Sequence, residues 1–208
     1  MPGAHPWPPH LAALRAPDDG PRLGLAVGDQ DITCLYQWPA GGALAAELGC
    51  VADCRSRRVA DLGCGRGALG LTALTLGAQD VLFADASPVA IDFVDRALLA
   101  NRLSGRAVAV PHTWGGALPG APYALLLGGD ILYRPELFPA LIATIAASLA
   151  PDGLCLLSDP RQRLEDGLPG LAARHGLDWR CERRPAGYTL VRVSPVVHRS
   201  DGPPWFTT

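Results

Sequence analysis

The stretch Arg58-Val59-Ala60-Asp61-Leu62-Gly63-Cys64-Gly65-Arg66-Gly67-Ala68-Leu69-Gly70 reads as a short buried strand, a glycine loop and the opening of a helix that runs from Ala68 to Gly77. The glycines let backbone N–H groups approach a ligand where a Cβ would collide, and the helix N-terminus behind them presents a partial positive charge. Gly63-x-Gly65-x-x-Ala68 satisfies a relaxed dinucleotide fingerprint. Asp61, two residues before the first glycine, puts a carboxylate at the strand tip, where a pyrophosphate would be repelled and a cationic ligand would be welcome. The next predicted strand, Asp80 to Ala84, ends in Asp85, a carboxylate placed to accept hydrogen bonds from both hydroxyls of a ribose. A dinucleotide and any other ribose-bearing ligand both need that acid, so Asp85 does not choose between them; Asp61 favours a ligand that is cationic.

Outward from this corner the chain alternates. Upstream, six prolines between Pro2 and Pro21 rule out a regular element, and an irregular arm over residues 1–22 is expected to pack through Trp7 and Leu11. Leu23 to Leu35 reads as one or two short strands around Gly28-Asp29-Gln30. Tyr36-Gln37-Trp38-Pro39 then opens a helix through Leu48, Pro39 being suited to its first turn. Arg55-Ser56-Arg57-Arg58 is a polar turn. Downstream, Ser87 is a good N-cap before Pro88, and Val89, Ile91, Val94, Ala97 and Leu98 form one apolar helical face.

Arg106 to Val110 is a short strand and Tyr123 to Leu127 a central one. Leu137, Leu141, Ile142, Ile145 and Leu149 place a second stripe on a helix, and Gly153 to Leu157 follows as a strand. Strand–helix alternation implies an α/β, doubly wound, mostly parallel sheet that binds ligands at the carboxyl ends of its strands. Leu177 to Arg183 and Tyr188 to Val193 are joined by only Arg184-Pro185-Ala186-Gly187, too short for a crossover, so they should form a C-terminal antiparallel hairpin. A domain over 23–196 and a tail over 197–208 complete the expected organisation.

The 208 residues suffice for one domain with a full core. With 49% hydrophobic residues, 18% charged residues and a net charge of −2, bulk charge does not point to a nucleic-acid partner. Every one of the 18 basic residues is arginine. The six cysteines show no Cys-x-x-Cys pair and no companion histidine at zinc spacing, which predicts reduced thiols and no metal site. The N-terminus lacks a basic-then-apolar leader and no apolar run reaches bilayer length, so a cytoplasmic monomer without membrane contact is expected.

Asp61, the glycines Gly63, Gly65 and Gly67, and Asp85 at the next strand end together resemble the class I S-adenosylmethionine-dependent methyltransferases. Three further places are similar to the seven-strand protein lysine methyltransferases: Trp38-Pro39-Ala40-Gly41-Gly42, His112-Thr113-Trp114-Gly115, and Gly129-Asp130-Ile131-Leu132-Tyr133. Trp38-Pro39 and Gly129-Asp130-x-x-Tyr133 look most like the enzymes acting on the β subunit of electron-transfer flavoprotein. Ser158-Asp159-Pro160-Arg161 lacks both glycines of that group's Gly-Asp-Pro-Gly-Arg element.

The resemblance implies a Rossmann-like seven-stranded fold, S-adenosyl-L-methionine as cofactor, and a protein lysine as methyl acceptor. On that basis Trp38, Asp61, Gly63, Gly65, Gly67, Asp85, Ala86, Trp114 and Asp130 are the cofactor-binding candidates, with Asp61 near the methionine amino group and Trp114 against adenine. Asp130 and Tyr133 are the catalytic candidates. Each residue has a plainer reading: Trp114 as core, Trp38 as a helix staple, Asp61, Asp85 and Asp130 as cap or turn residues, His112 as a surface or core histidine. A small-molecule N- or O-methyltransferase is the rival function, since a fold does not fix its substrate. Intact motifs speak against a non-catalytic cofactor-binding subunit. A chain without lysine offers itself no methyl acceptor of that kind.

Overall fold

In β1 (Arg58–Leu62) successive side chains leave on opposite sides of the strand, Val59 into one apolar cluster and Ala60 and Leu62 into another. The same division repeats in β2 (Asp80–Asp85), β4 (Tyr123–Gly129) and β5 (Leu149–Asp159), so the sheet is buried on both faces. In this computed structural model, which describes residues 7–17, 34, 36–161 and 167–196, seven strands form one sheet in the order β3-β2-β1-β4-β5-β7-β6. β3 is Ala107–Pro111, and β6 (Leu177–Arg183) and β7 (Thr189–Pro195) form the expected antiparallel hairpin; β7 also runs antiparallel to β5. The other neighbours are parallel.

Helices α1 (Pro39–Val51), α2 (Ala68–Thr75) and α3 (Pro88–Ala100) pack on one face; α4 (Phe138–Ser148) and α5 (Leu168–Arg174) pack on the other. The chain therefore changes direction of winding between β1 and β4, and a crevice opens beyond their carboxyl ends. Two glycines are needed for helices to approach so closely. A Cβ on Gly70 of α2 would lie 2.3 Å from the Phe83 ring of β2, and one on Gly129 at the end of β4 would lie 2.7 Å from the Gly41 Cα of α1.

Several expectations shift. Helix α1 continues past Leu48 to Val51, while α2 stops at Thr75. Ser87 sits at the N-cap of α3 but makes no side-chain capping bond. The stripe on α4 is shorter than expected: Leu137 belongs to a preceding 3-10 turn and Leu149 already opens β5. The alternation also breaks between β3 and β4, which are joined without a helix, whereas the unexpected α5 precedes β6.

The expected packing of the arm is present. Trp7 and Leu11 are buried around the 3-10 turn Pro9–Leu11, and Trp7 Nε1 donates to the Arg66 carbonyl at 2.7 Å, behind the glycine loop. The strands expected over residues 23–35 lie outside the described residues, Cys34 excepted. Among the described residues, no helix is long and apolar enough to cross a membrane.

Candidate active site

Acidic residues end four neighbouring parallel strands: Asp61 within β1, Asp85 on β2, Asp130 just past β4 and Asp159 on β5. All four line one cleft of about 940 Å³, within the usual size of a small-molecule site. Gly63 and Gly65 from the loop after β1, Ala86 after β2, and Trp114 after β3 join Asp61 and Asp85 there. Tyr133 and Trp38 line it from the loop after β4 and the start of α1. Gly67 is the exception among the sequence candidates: it stands outside the cleft lining, and a Cβ on it would press on Phe83 and Val94 beneath the loop.

Asp61 is only 2% exposed and its Oδ2 accepts from the Gly70 N–H at 2.8 Å. Burial pushes its pKa up to about 8; the Gly70 bond opposes that rise and the charge of Asp85 adds to it. A cation entering the cleft would offset the cost of burying the charge and return the acid to its ionised form. Asp85 ties the loop from the other side: its Oδ2 accepts from the Gly65 N–H at 2.9 Å and its Oδ1 from the Ser87 N–H at 2.8 Å. A carboxylate oxygen can accept more than one hydrogen bond, so an acid at this strand end suits a ligand that carries hydroxyls. Trp114 is partly buried, with its ring edge 3.6 Å from where a Gly63 Cβ would stand, and the next N–H, of Gly115, donates to Thr144 Oγ1 at 2.8 Å.

Asp130 has φ 54°, a left-handed conformation that a non-glycine residue adopts at a cost of about 1–3 kcal/mol and that often marks functional sites. Its N–H donates to the Ser158 carbonyl at 2.9 Å and its Oδ2 accepts from the Gly41 N–H at 2.5 Å. The capping group of α1 thus comes from a residue 89 positions away, not from Trp38 at its own N-cap. Oδ1 is buried without a hydrogen-bond partner. Burial raises the Asp130 pKa, the Gly41 and Ala40 N–H groups lower it, and the charge of Asp159 raises it again. Tyr133 is 64% exposed and Trp38 48%, the latter in edge-to-face contact with Tyr36 at 6.4 Å between ring centroids.

Three cleft residues were missed as site candidates in the sequence. Asp159 is 2% exposed and bound by Arg161, and both line the cleft; an acid at the end of a fourth strand was the signal that could have found them. His112 is neither a plain surface nor a plain core residue, since it lines the cleft; burial lowers its pKa, and its Nε2 is buried without a hydrogen-bond partner.

Residues 36–167 match the family model described as lysine methyltransferase. The chain belongs to this family. It is 37% identical over 154 residues to protein N-lysine methyltransferase METTL21A of Danio rerio, a match covering 70% of this chain and 65% of that protein. It is 35% identical over 119 residues to EEF1A lysine methyltransferase 3 of Mus musculus, covering 55% of this chain and 50% of that protein. The chain thus spans less than two thirds of the length of these relatives. A solved O-methyltransferase from neocarzinostatin biosynthesis, in complex with S-adenosylmethionine, superposes with a TM-score of 0.62 at 19% identity, covering 74% of this chain and 55% of that one. That likeness shows the fold, and a member of the lysine methyltransferase family here shares its sheet with an enzyme of a different substrate class.

The donor set fits S-adenosylmethionine. A buried acid awaits a cation at Asp61, Asp85 offers acceptors for hydroxyls, and the half-buried Trp114 offers a ring edge in the same cleft.

Proposed function

We propose that the protein is an S-adenosylmethionine-dependent methyltransferase that acts on a lysine side chain of a protein substrate, in the cytoplasm and as a monomer. The observation that carries this is Asp130, a strained carboxylate on the cleft wall whose Oδ1 is buried and unpartnered. An amine N–H is the complement of that oxygen. Membership in the lysine methyltransferase family supports the choice of acceptor, and six free cysteines agree with a reducing compartment.

When bound, S-adenosylmethionine supplies an electrophilic methyl group on a sulfonium sulfur. Asp61 would hold the methionyl ammonium, Asp85 the ribose hydroxyls, and Trp114 the adenine, with Gly63 and Gly65 leaving room for the ligand. Asp130 would accept a hydrogen bond from the acceptor amine. Its charge would stabilise a nitrogen that becomes cationic as the N–C bond forms and the methyl–sulfur bond breaks, the electron pair leaving on the neutral thioether, so its effect would grow along the reaction. Tyr133 and Trp38 wall the approach. The amine reaches the site already neutral, having lost its proton to water, and the protein contributes orientation and exclusion of solvent.

The test is incubation of the purified protein with methyl-labelled cofactor and a cell extract separated by size. Label in protein bands, stable to hydrolysis as methyl-lysine, is the expected result. Label confined to the small-molecule fraction would overturn the acceptor assignment.

A further inference from the structure

The loop from Asp130 to Tyr133 carries both residues assigned above to the acceptor, yet its outer half is held by a residue outside it. Ile131 and Leu132 bury their side chains, and Tyr133 projects outward. Arg161, just past β5, reaches back across the cleft wall: its Nη2 donates to the Leu132 carbonyl at 2.6 Å. The same guanidinium is fixed by Asp159, with Nε to Oδ1 at 2.9 Å and Nη2 to Oδ2 at 3.1 Å, while the Arg161 N–H donates to Oδ1 at 2.8 Å. Thr189 Oγ1 of β7 donates to the Arg161 carbonyl at 2.7 Å. The anchor is buried and the arm is partly exposed, 3% against 39% for the two side chains.

We propose that Arg161 is a positioning residue of the acceptor side, locking the peptide plane between Leu132 and Tyr133 and thereby the direction in which Tyr133 points. The carbonyl of Leu132 and the N–H of Tyr133 share one rigid plane, so a bond to the first fixes the second. A planar fork with several donors does this while remaining paired to a carboxylate; an ammonium lacks that fixed geometry. Arg161 also places a cation beside Asp159, whose charge bears on Asp130 from β5 while the Gly41 and Ala40 N–H groups bear on it from α1. The loop is therefore secured from β5 at both ends, by the Ser158 carbonyl accepting from Asp130 N–H at 2.9 Å and by Arg161.

This role rests on the acceptor reading of Asp130 and Tyr133, and its test separates the two. Amide hydrogen exchange is followed by mass spectrometry in the full chain, with S-adenosylhomocysteine as the probe for cofactor binding. In Arg161→Ala, exchange across residues 131–134 should accelerate at least tenfold while β4 is unchanged. The S-adenosylhomocysteine Kd should stay within twofold, and labelling of extract proteins at saturating cofactor should slow at least tenfold. Arg161→Lys, which keeps the charge beside Asp159, should fall between wild type and Arg161→Ala, and it is the variant read if Arg161→Ala does not fold. Unchanged exchange over 131–134, or acceleration spread evenly over the sheet in both variants, would overturn the positioning role. If the wild type labels no protein, the lysine methyltransferase reading fails, while the exchange measurement still decides whether Arg161 holds the loop.

Discussion

The two ends of the cleft are built differently. At the β1–β2 end, the acids and the backbone groups they bind come from one strand–loop–helix unit and the strand after it: Asp61 with Gly70, Asp85 with Ser87 and Gly65, separated by 9, 2 and 20 residues. At the β4–β5 end, Asp130 binds Gly41 across 89 residues and Arg161 binds Leu132 across 29. The first end is a local motif that closes on itself. The second exists only where α1, β4 and β5 meet. Changes at the first should alter cofactor affinity, and changes at the second should alter turnover.

Asp130→Asn gives the largest contrast. Asn retains an acceptor for the Gly41 N–H but loses the charge, so labelling of protein acceptors should fall by about 100-fold or more, the scale of removing one transition-state contact. The S-adenosylhomocysteine Kd and the melting temperature should barely move. Turnover within a few-fold of wild type would leave Asp130 as a cap for α1 and no more.

Asp85→Ala tests the other end. Loss of each charge-assisted bond to the ribose should weaken cofactor binding by about 1.5–3 kcal/mol, measured by calorimetry. Because Gly65 and Ser87 lose their acceptor as well, the melting temperature should drop, unlike that of Asp130→Asn. An unchanged Kd with a lowered melting temperature would make Asp85 a loop clamp alone.

Asp61 sharpens the comparison through pH. Its pKa of about 8 lies above the ordinary 3.8, so the protonated form is favoured on folding. Its stabilising effect is present below pH 4 and is lost as pH rises through 8. Asp61→Asn should therefore raise the stability of the unliganded protein at pH 9, with little gain at low pH, while weakening cofactor binding. Equal shifts in melting temperature at pH 5 and pH 9 would rule out this titration. Wild-type binding near pH 7 should also release protons, detectable as a dependence of calorimetric enthalpy on the buffer.

Trp114 should give the smallest effect. Trp114→Ala should cost about 0.5–1.5 kcal/mol of cofactor affinity in ring packing, and Trp114→Phe should retain most of it. If both variants bind normally and melt earlier, Trp114 serves the core cluster in which it is partly buried.

The sequence by itself determined the sheet, the winding and the glycine corner. Those features are written in short-range patterns: alternation in β1 and β2, the apolar face of α3, the tight link between β6 and β7, and a carboxylate at a fixed distance from the glycines. The resemblance to the family was legible for the same reason, since Asp61, Asp85, Trp114 and Asp130 with Tyr133 stand at or just past the ends of β1, β2, β3 and β4. Tertiary structure alone decided that Gly67 turns away from the cleft, that His112 turns toward it, that Asp130 caps α1, and that Arg161 holds the loop bearing Tyr133. Periodicity and spacing specify which face of an element is buried, but a hydrogen bond between distant segments depends on the order in which strands assemble across the sheet.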